Sequence, residues 1–172
     1  MLPMKTFEAL LAWDEAVLLR VRRWHRPVLT KVFRAVTHLG DAPSLTFVGL
    51  VLLAAGAQGL AWWLLLGAGG AAVVAQGLKR VLKRRRPNHG IAGFEALVGN
   101  PDAFSFPSGH TAATVALAVV WAGQGNGLGA LAAGFAAWVG VSRVYLGAHY
   151  PLDVMAGGAL GLAVGAAARL LG

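Results

Sequence analysis

The sequence predicts an all-α integral membrane protein, a bundle of about five transmembrane helices preceded by amphipathic interfacial helices. Composition is the first reason. Of 172 residues, 57% are hydrophobic and only 13% charged, against roughly 25% charged in soluble domains. Mean hydropathy is +0.63. The second reason is how the apolar residues are distributed. No Asp, Glu, Lys or Arg occurs from Ala42 to Leu78 or from Val154 to Ala168, and His110 is the one ionisable residue from Ala103 to Ser142. A transmembrane helix needs roughly 20 mostly apolar residues. The first two tracts can each hold a helical hairpin, and the third, with its flanks, a single span. The chain reads as one domain, with residues 1–40 an amphipathic N-terminal segment and 41–172 the membrane core.

From Thr6 to Trp24 the apolar residues recur at helical spacing: Phe7, Leu10, Leu11, Val17, Leu18, Val21 and Trp24 share a face. The basic tail of Arg20, Arg22, Arg23 and Arg26 suits a helix lying in the membrane surface. Asp14 and Glu15 interrupt the stretch, so no cleavable signal is expected. Pro27 starts a second amphipathic helix that ends near Gly40. Span 1 is expected at 43–57, with a turn at Gln58-Gly59, and span 2 at 60–78, with a possible helical continuation into the basic run. Residues 87–107, rich in Pro, Asn, Gly and Asp, read as an exposed loop. Span 3 covers 108–121, followed by a Gly-rich turn at 123–127. Span 4 covers 128–145 and span 5 covers 151–171. Lipid offers no hydrogen bonds to the backbone, so the spans are expected to pack as an antiparallel helical bundle.

Net charge is +8. A basic chain can bind nucleic acid or anionic lipid, but here the cations are separated by membrane-like tracts, so no nucleic-acid partner is expected. With no cysteine there are no disulfides and no thiolate metal site.

Folding the spans as hairpins brings three distant segments to one membrane face. The first is the run from Lys79 to Pro87, containing Lys79, Arg80, Lys83, Arg84, Arg85 and Arg86. Guanidinium forks match phosphate oxygens and lysine supplies a point charge. Some of these cations, Arg84 and Arg85 among them, can equally be topology anchors. The second segment is Pro107-Ser108-Gly109-His110, at the start of span 3. Ser108 is a natural N-cap, and Gly109 lets an oxyanion approach the unpaired backbone N–H groups. His110 in the first turn can donate a proton. The third segment runs from Ser142-Arg143 to His149 and Asp153. His149 and Asp153 are four apart and can meet across a helical turn, where a carboxylate fixes the tautomer of the imidazole and strengthens its other nitrogen as a nucleophile. Alternatively, Arg143 and Asp153 form a structural ion pair.

Together the segments resemble the type 2 phosphatidic acid phosphatase family, which shares its site with vanadium haloperoxidases. The family pattern is matched at Lys79, Arg86 and Pro87; at Pro107 to His110; and at Ser142, Arg143, His149 and Asp153. The resemblance implies that His149 is the nucleophile, that Asp153 orients it, and that His110 protonates the leaving alcohol and later helps activate water. It implies that Lys79, Arg86, Ser108, Gly109 and Arg143 hold the phosphoryl oxygens, with no metal and no cofactor. Outside the pattern, His25, His38 and His89 are read as surface or interfacial residues, and Glu95 and Asp102, in the loop, as solvated or in contact with a lipid headgroup.

The expected activity is hydrolysis of a phosphate monoester or pyrophosphate on a membrane lipid, such as phosphatidic acid, phosphatidylglycerol phosphate or a polyprenyl phosphate. The alternatives are a lipid phosphotransferase using the same site and a non-enzymatic lipid-binding protein. The lipid tail is expected to enter between the spans, where the small residues from Ala156 to Ala168 leave room. The expected location is the bacterial inner membrane. Positive-inside counting puts the basic face in the cytoplasm, whereas the resemblance implies a periplasmic site.

Overall fold

Proline and short polar residues start the helices, and glycine or a left-handed residue ends several of them. The computed structural model describes residues 4–100, 102–125 and 127–171. Its regular elements there are all helical: α1 (Met4–Arg22), α2 (Pro27–Leu39), α3 (Ala42–Ala54), α4 (Gln58–Leu82), α5 (Pro87–Gly90), α6 (Gly109–Ala122), α7 (Leu128–Tyr145) and α8 (Pro151–Leu171). Asp41 caps α3 by accepting from the Ser44 N–H at 2.9 Å. The α3–α4 turn falls at Gly56, whose φ is +78°, so Gln58 opens α4 and does not form the turn itself. Only glycine adopts that backbone conformation without cost.

Helices α4, α7 and α8 are each long and apolar enough to cross a membrane. The pair α2 and α3, bent by 55° at Gly40-Asp41, passes the same test as a broken span. Helix α6 is apolar but short at 14 residues. Its side chains are the most enclosed of the bundle, from Thr111 to Val120, because α4, α7 and α8 surround it.

Small residues set the α6–α8 distance. A Cβ added at Gly157 would lie 2.5 Å from the Ser108 carbonyl oxygen, and one at Gly161 would lie 2.5 Å from that of Ala112. At Gly165 it would meet Val119 Cβ at 2.8 Å. The room expected along this stretch of α8 is therefore filled by α6, as in close helix packing in lipid.

Helices α1 and α2 lie across one end of the bundle. Leu18 is buried with Phe94 and Tyr150, and Arg22 sits 4.7 Å over the Phe94 ring. His25 is 2.8 Å from the Tyr145 carbonyl oxygen, and the Arg26 N–H donates to the Tyr145 hydroxyl at 2.8 Å. Phe7, Trp13, Trp24 and Val28 remain exposed, as suits helices whose outer face meets a membrane interface. The turn after α6 was read through Asn126, which lies outside the described residues.

Candidate active site

The three sequence segments meet at the end of the bundle beneath α1 and α2. A cavity of about 410 Å³ there is lined by Lys79, Arg86, Gly109, His110, Arg143 and His149 together. Each cation reaches it through a different local device. Lys79 is carried by the last turn of α4. Lys83 then takes a left-handed conformation (φ 49°) and ends the helix. The released chain runs extended and bridges Phe104 through Arg85. Alternate residues of an extended segment face the same way. Arg84 and Arg86 accordingly turn inward, while Arg85, Lys83 and Arg80 stay exposed.

Arg86 is 2% exposed. Its Nη1 donates to the Ala148 carbonyl oxygen at 2.8 Å and lies 3.3 Å from His149 Nε2. Arg143 Nη1 donates to Thr37 Oγ1 at 2.7 Å and Nη2 to Asn100 Oδ1 at 3.0 Å. Its Nε is buried with no hydrogen-bond partner among the described residues. The proposed Arg143–Asp153 ion pair does not form; Asp153 pairs with Arg84 instead.

His149 is enclosed between α7 and α8. Its Nδ1 is 3.5 Å from Asp153 Oδ2, as the four-residue spacing predicts. Burial first, and then the positive fields of Arg143, Arg86 and Lys79, hold this imidazole well below its ordinary pKa. Nδ1 makes no hydrogen bond among the described residues at that distance, and Nε2 lies beside Arg86 Nη1 at the cavity that His149 lines. His110 lines the same cavity from the first turn of α6. Ser108 is buried with its Oγ 3.0 Å from Thr111 Oγ1, and it is absent from the cavity wall. Its Oγ sits at the cap of α6, with the Thr111 N–H and hydroxyl as near partners. Its own N–H donates to the Asp153 carbonyl oxygen at 2.9 Å, which ties α6 to α8.

Asp102, Asn100 and Arg84 contact the cations and carboxylates of the site. Asp102 is not solvated. Its carboxylate accepts from Lys79 Nζ at 2.8 Å and pairs with Arg86. The loop 87–107 is exposed in part, at His89, Ala92, Gly93, Glu95 and Ala103, while Phe94, Ser105 and Pro107 are buried. Asn100 joins Arg86 and Arg143 through one oxygen. Arg84 is more than a topology anchor: it bridges Asp153 and Asp14. For Asp14 a signal existed. It lies three or four residues from Leu10, Leu11, Val17 and Leu18, so a charge interrupts the apolar face of α1. For Asp102 and Arg84 the sequence held no such signal. Of the other histidines, His25 packs on Tyr145 with ring centroids 4.8 Å apart, and His38 sits 3.5 Å from Asp41. Among the described residues no three His, Asp or Glu side chains are grouped to hold a metal ion.

An apolar helical bundle that gathers two imidazoles and buried cations into one cavity belongs to the class of membrane phosphatases. The chain is a member of the PAP2 superfamily, whose family model matches residues 60–171. It is 36% identical to the decaprenylphosphoryl-5-phosphoribose phosphatase of Mycobacterium tuberculosis over 148 residues, 82% of this chain and 79% of that protein. Its fold is similar to the crystal structure of the transmembrane PAP2-type phosphatidylglycerolphosphate phosphatase from Bacillus subtilis. The TM-score is 0.79 at 27% identity, covering 95% of this chain and 86% of that one. It also resembles Aquifex aeolicus LpxE, with a TM-score of 0.76 at 25% identity, covering 90% and 93%.

Proposed function

We propose that the protein hydrolyses the terminal phosphate monoester of a membrane lipid through a phosphohistidine at His149. The observation that carries this reading is a single continuous cavity. Its first set of lining residues is His149, His110, Lys79, Arg86 and Arg143, and its second is Leu45, Leu64, Leu65, Ala68 and Ala72 of α3 and α4. Phosphate fits the first part and a hydrocarbon tail the second. Tail access therefore runs along α3 and α4, opposite the packed glycines of α8. A second apolar groove, between α6, α7 and α8, contains none of the catalytic residues.

In the first step the Nε2 lone pair of His149 attacks phosphorus, the bond to the leaving oxygen breaks, and His110 transfers a proton to that oxygen. In the second step water gives its proton to His110 and attacks phosphorus. The P–N bond breaks, and phosphate and free His149 are released. Lys79, Arg86, Arg143 and the backbone at Gly109 hold the phosphoryl oxygens. Phosphoryl transfer is catalysed mainly by such positioning and charge stabilisation. Ser108 is kept with these residues as a phosphate holder on the family pattern, its hydroxyl lying at the α6 cap next to Gly109.

The identity to a phosphatase of a polyprenyl-linked phosphate supports a polyprenyl carrier over a diacylglycerol lipid as substrate. His38, Asp41 and Gln76 also line the cavity, which suits a hydroxylated group on the substrate. The location fitting this substrate is the bacterial cell membrane. Exposed Arg20, Arg23, Arg26 and Lys31 at the same end of the bundle as the cage favour its cytoplasmic face. Phosphate release across a panel of polyprenyl, diacyl and short soluble phosphate esters, with EDTA present, tests the reading. The expected result is metal-independent release, fastest on the polyprenyl-linked substrate. Release abolished by EDTA, or transfer of the phosphoryl group to an added alcohol with no free phosphate formed in its absence, contradicts it.

A further inference from the structure

Most of the charged side chains on α1 are exposed, yet Asp14 is 0% exposed. Burying a carboxylate is costly unless it is paired, and both of its oxygens have partners. Oδ1 accepts from the Leu152 N–H at 2.8 Å, one of the otherwise unpaired amides in the first turn of α8. Oδ2 accepts from Arg84 Nη2 at 2.6 Å. The other arm of the same guanidinium, Nη1, donates to Asp153 Oδ1 at 2.7 Å. The fork is fixed from two further sides. Its plane lies 4.2 Å over the Tyr150 ring, and the Arg84 carbonyl accepts from the Ser105 N–H at 2.9 Å.

Asp153 is consequently held at both oxygens. Arg84 takes Oδ1, while Oδ2 accepts from the Tyr150 N–H at 2.9 Å and faces His149 Nδ1. Neither Asp14 nor Arg84 lines the cavity. They are one and two steps removed from the imidazole, on an N-terminal helix and in a cationic run whose other exposed members, Arg80, Lys83 and Arg85, make no such contacts.

We propose that Asp14 and Arg84 are positioning residues for the phosphoryl-transfer step: Asp14 orients Arg84, and Arg84 holds Asp153 aimed at His149. This deepens, and rests on, the reading of His149 as the nucleophile. It makes the interfacial helix α1 part of the catalytic apparatus, linked to the reacting nitrogen through a chain of two carboxylates and one guanidinium. Lysine can supply the charge of Arg84 but cannot serve both carboxylates with a planar fork.

The test uses the full chain in detergent or vesicles, with rapid-quench measurement of phosphoenzyme from a radiolabelled lipid phosphate. In R84Q the rate of phosphoenzyme formation is expected to fall ten- to a hundredfold, and in D14N three- to tenfold. The amplitude, KM and inhibition by vanadate should stay within about twofold of the wild type. R84K should recover part of the R84Q loss. An unchanged rate in R84Q overturns the positioning role. So does a loss confined to amplitude, meaning fewer folded sites at normal speed, and so does R84K behaving as R84Q. A wild-type enzyme that releases phosphate with no label on His149 overturns the underlying reading as well.

Discussion

Lys79 donates to the Asp102 carboxylate across 2.8 Å, so the phosphate cage already contains an oxyanion of the protein's own. Burial pushes this carboxyl up, but hydrogen bonds from Lys79 and Arg86 outweigh it and hold Asp102 below its ordinary value. Asp102 is thus ionised at neutral pH and competes with an incoming phosphate for the same two cations. Replacing it with asparagine keeps the shape and removes the charge. Charge-assisted hydrogen bonds contribute about 1.5–3 kcal/mol, so D102N is expected to lower the inhibition constant for vanadate by about tenfold or more. An unchanged or weaker inhibition would mean that Asp102 organises the cations rather than competing for them.

Arg143 uses all three of its nitrogens differently: Nη1 on Thr37, Nη2 on Asn100, and Nε without a hydrogen-bond partner among the described residues. Lysine cannot reproduce that fork. R143K is expected to lower kcat by about 10²–10³-fold, the usual cost of removing one preorganised donor from a transition-state site. T37V, which removes one support and leaves the charge, should cost less. Steady-state kinetics check both, and R143K within twofold of the wild type would exclude a phosphate contact from this side chain.

The buried His149 also predicts a pH dependence of stability. Burial and the neighbouring cations hold its folded-state pKa well below the ordinary value, which is about 6.5 in an unfolded chain. Below that value the unfolded chain binds a proton that the folded protein does not, so stability falls as pH drops. The slope is about 1.4 kcal/mol per pH unit for one proton. H149Q lacks the group and should show a shallower loss between pH 7 and pH 5. Thermal unfolding at both values measures this, and identical slopes for the two proteins would contradict it.

Neighbouring glycines on α8 should behave oppositely. A Cβ at Gly157 would meet the Ser108 carbonyl oxygen at 2.5 Å, whereas one at Gly158 meets nothing within 4 Å. G157A is expected to cost about 1–3 kcal/mol through overpacking and to reduce activity, since it displaces the cap of α6 beside His110. G158A should be neutral or stabilising by up to about 1 kcal/mol. Unfolding midpoints of the two variants, measured side by side, decide whether α6 and α8 pack as closely as described.

Much of this was legible before any coordinates, for reasons that differ by residue. Charge-free tracts disclose helices in lipid because the bilayer excludes unpaired charge over a fixed thickness. His110, Arg143, His149 and Asp153 stood out by their places at span ends and across a helical turn, whereas Lys79 and Arg86 were picked out of the basic run only by the resemblance to the family pattern. The spatial sorting of the basic run was not legible. Arg84 and Arg85 are adjacent and identical, and only the left-handed turn at Lys83 decides which faces inward. Nor was the pairing of Arg84 with Asp14 legible, since the partners are 70 residues apart and meet only when α1 folds back over the site. The small residues of α8 were ambiguous by type. Glycine serves equally to make room and to allow contact, and the backbone of α6 settles that it is contact here.

The most direct test of the whole account is to quench the enzyme during turnover of a radiolabelled lipid phosphate and map the bound label. An acid-labile phosphoryl group on His149, absent from H149A together with phosphate release, is the result the geometry predicts. Label on another residue, or continued phosphate release by H149A, would contradict it.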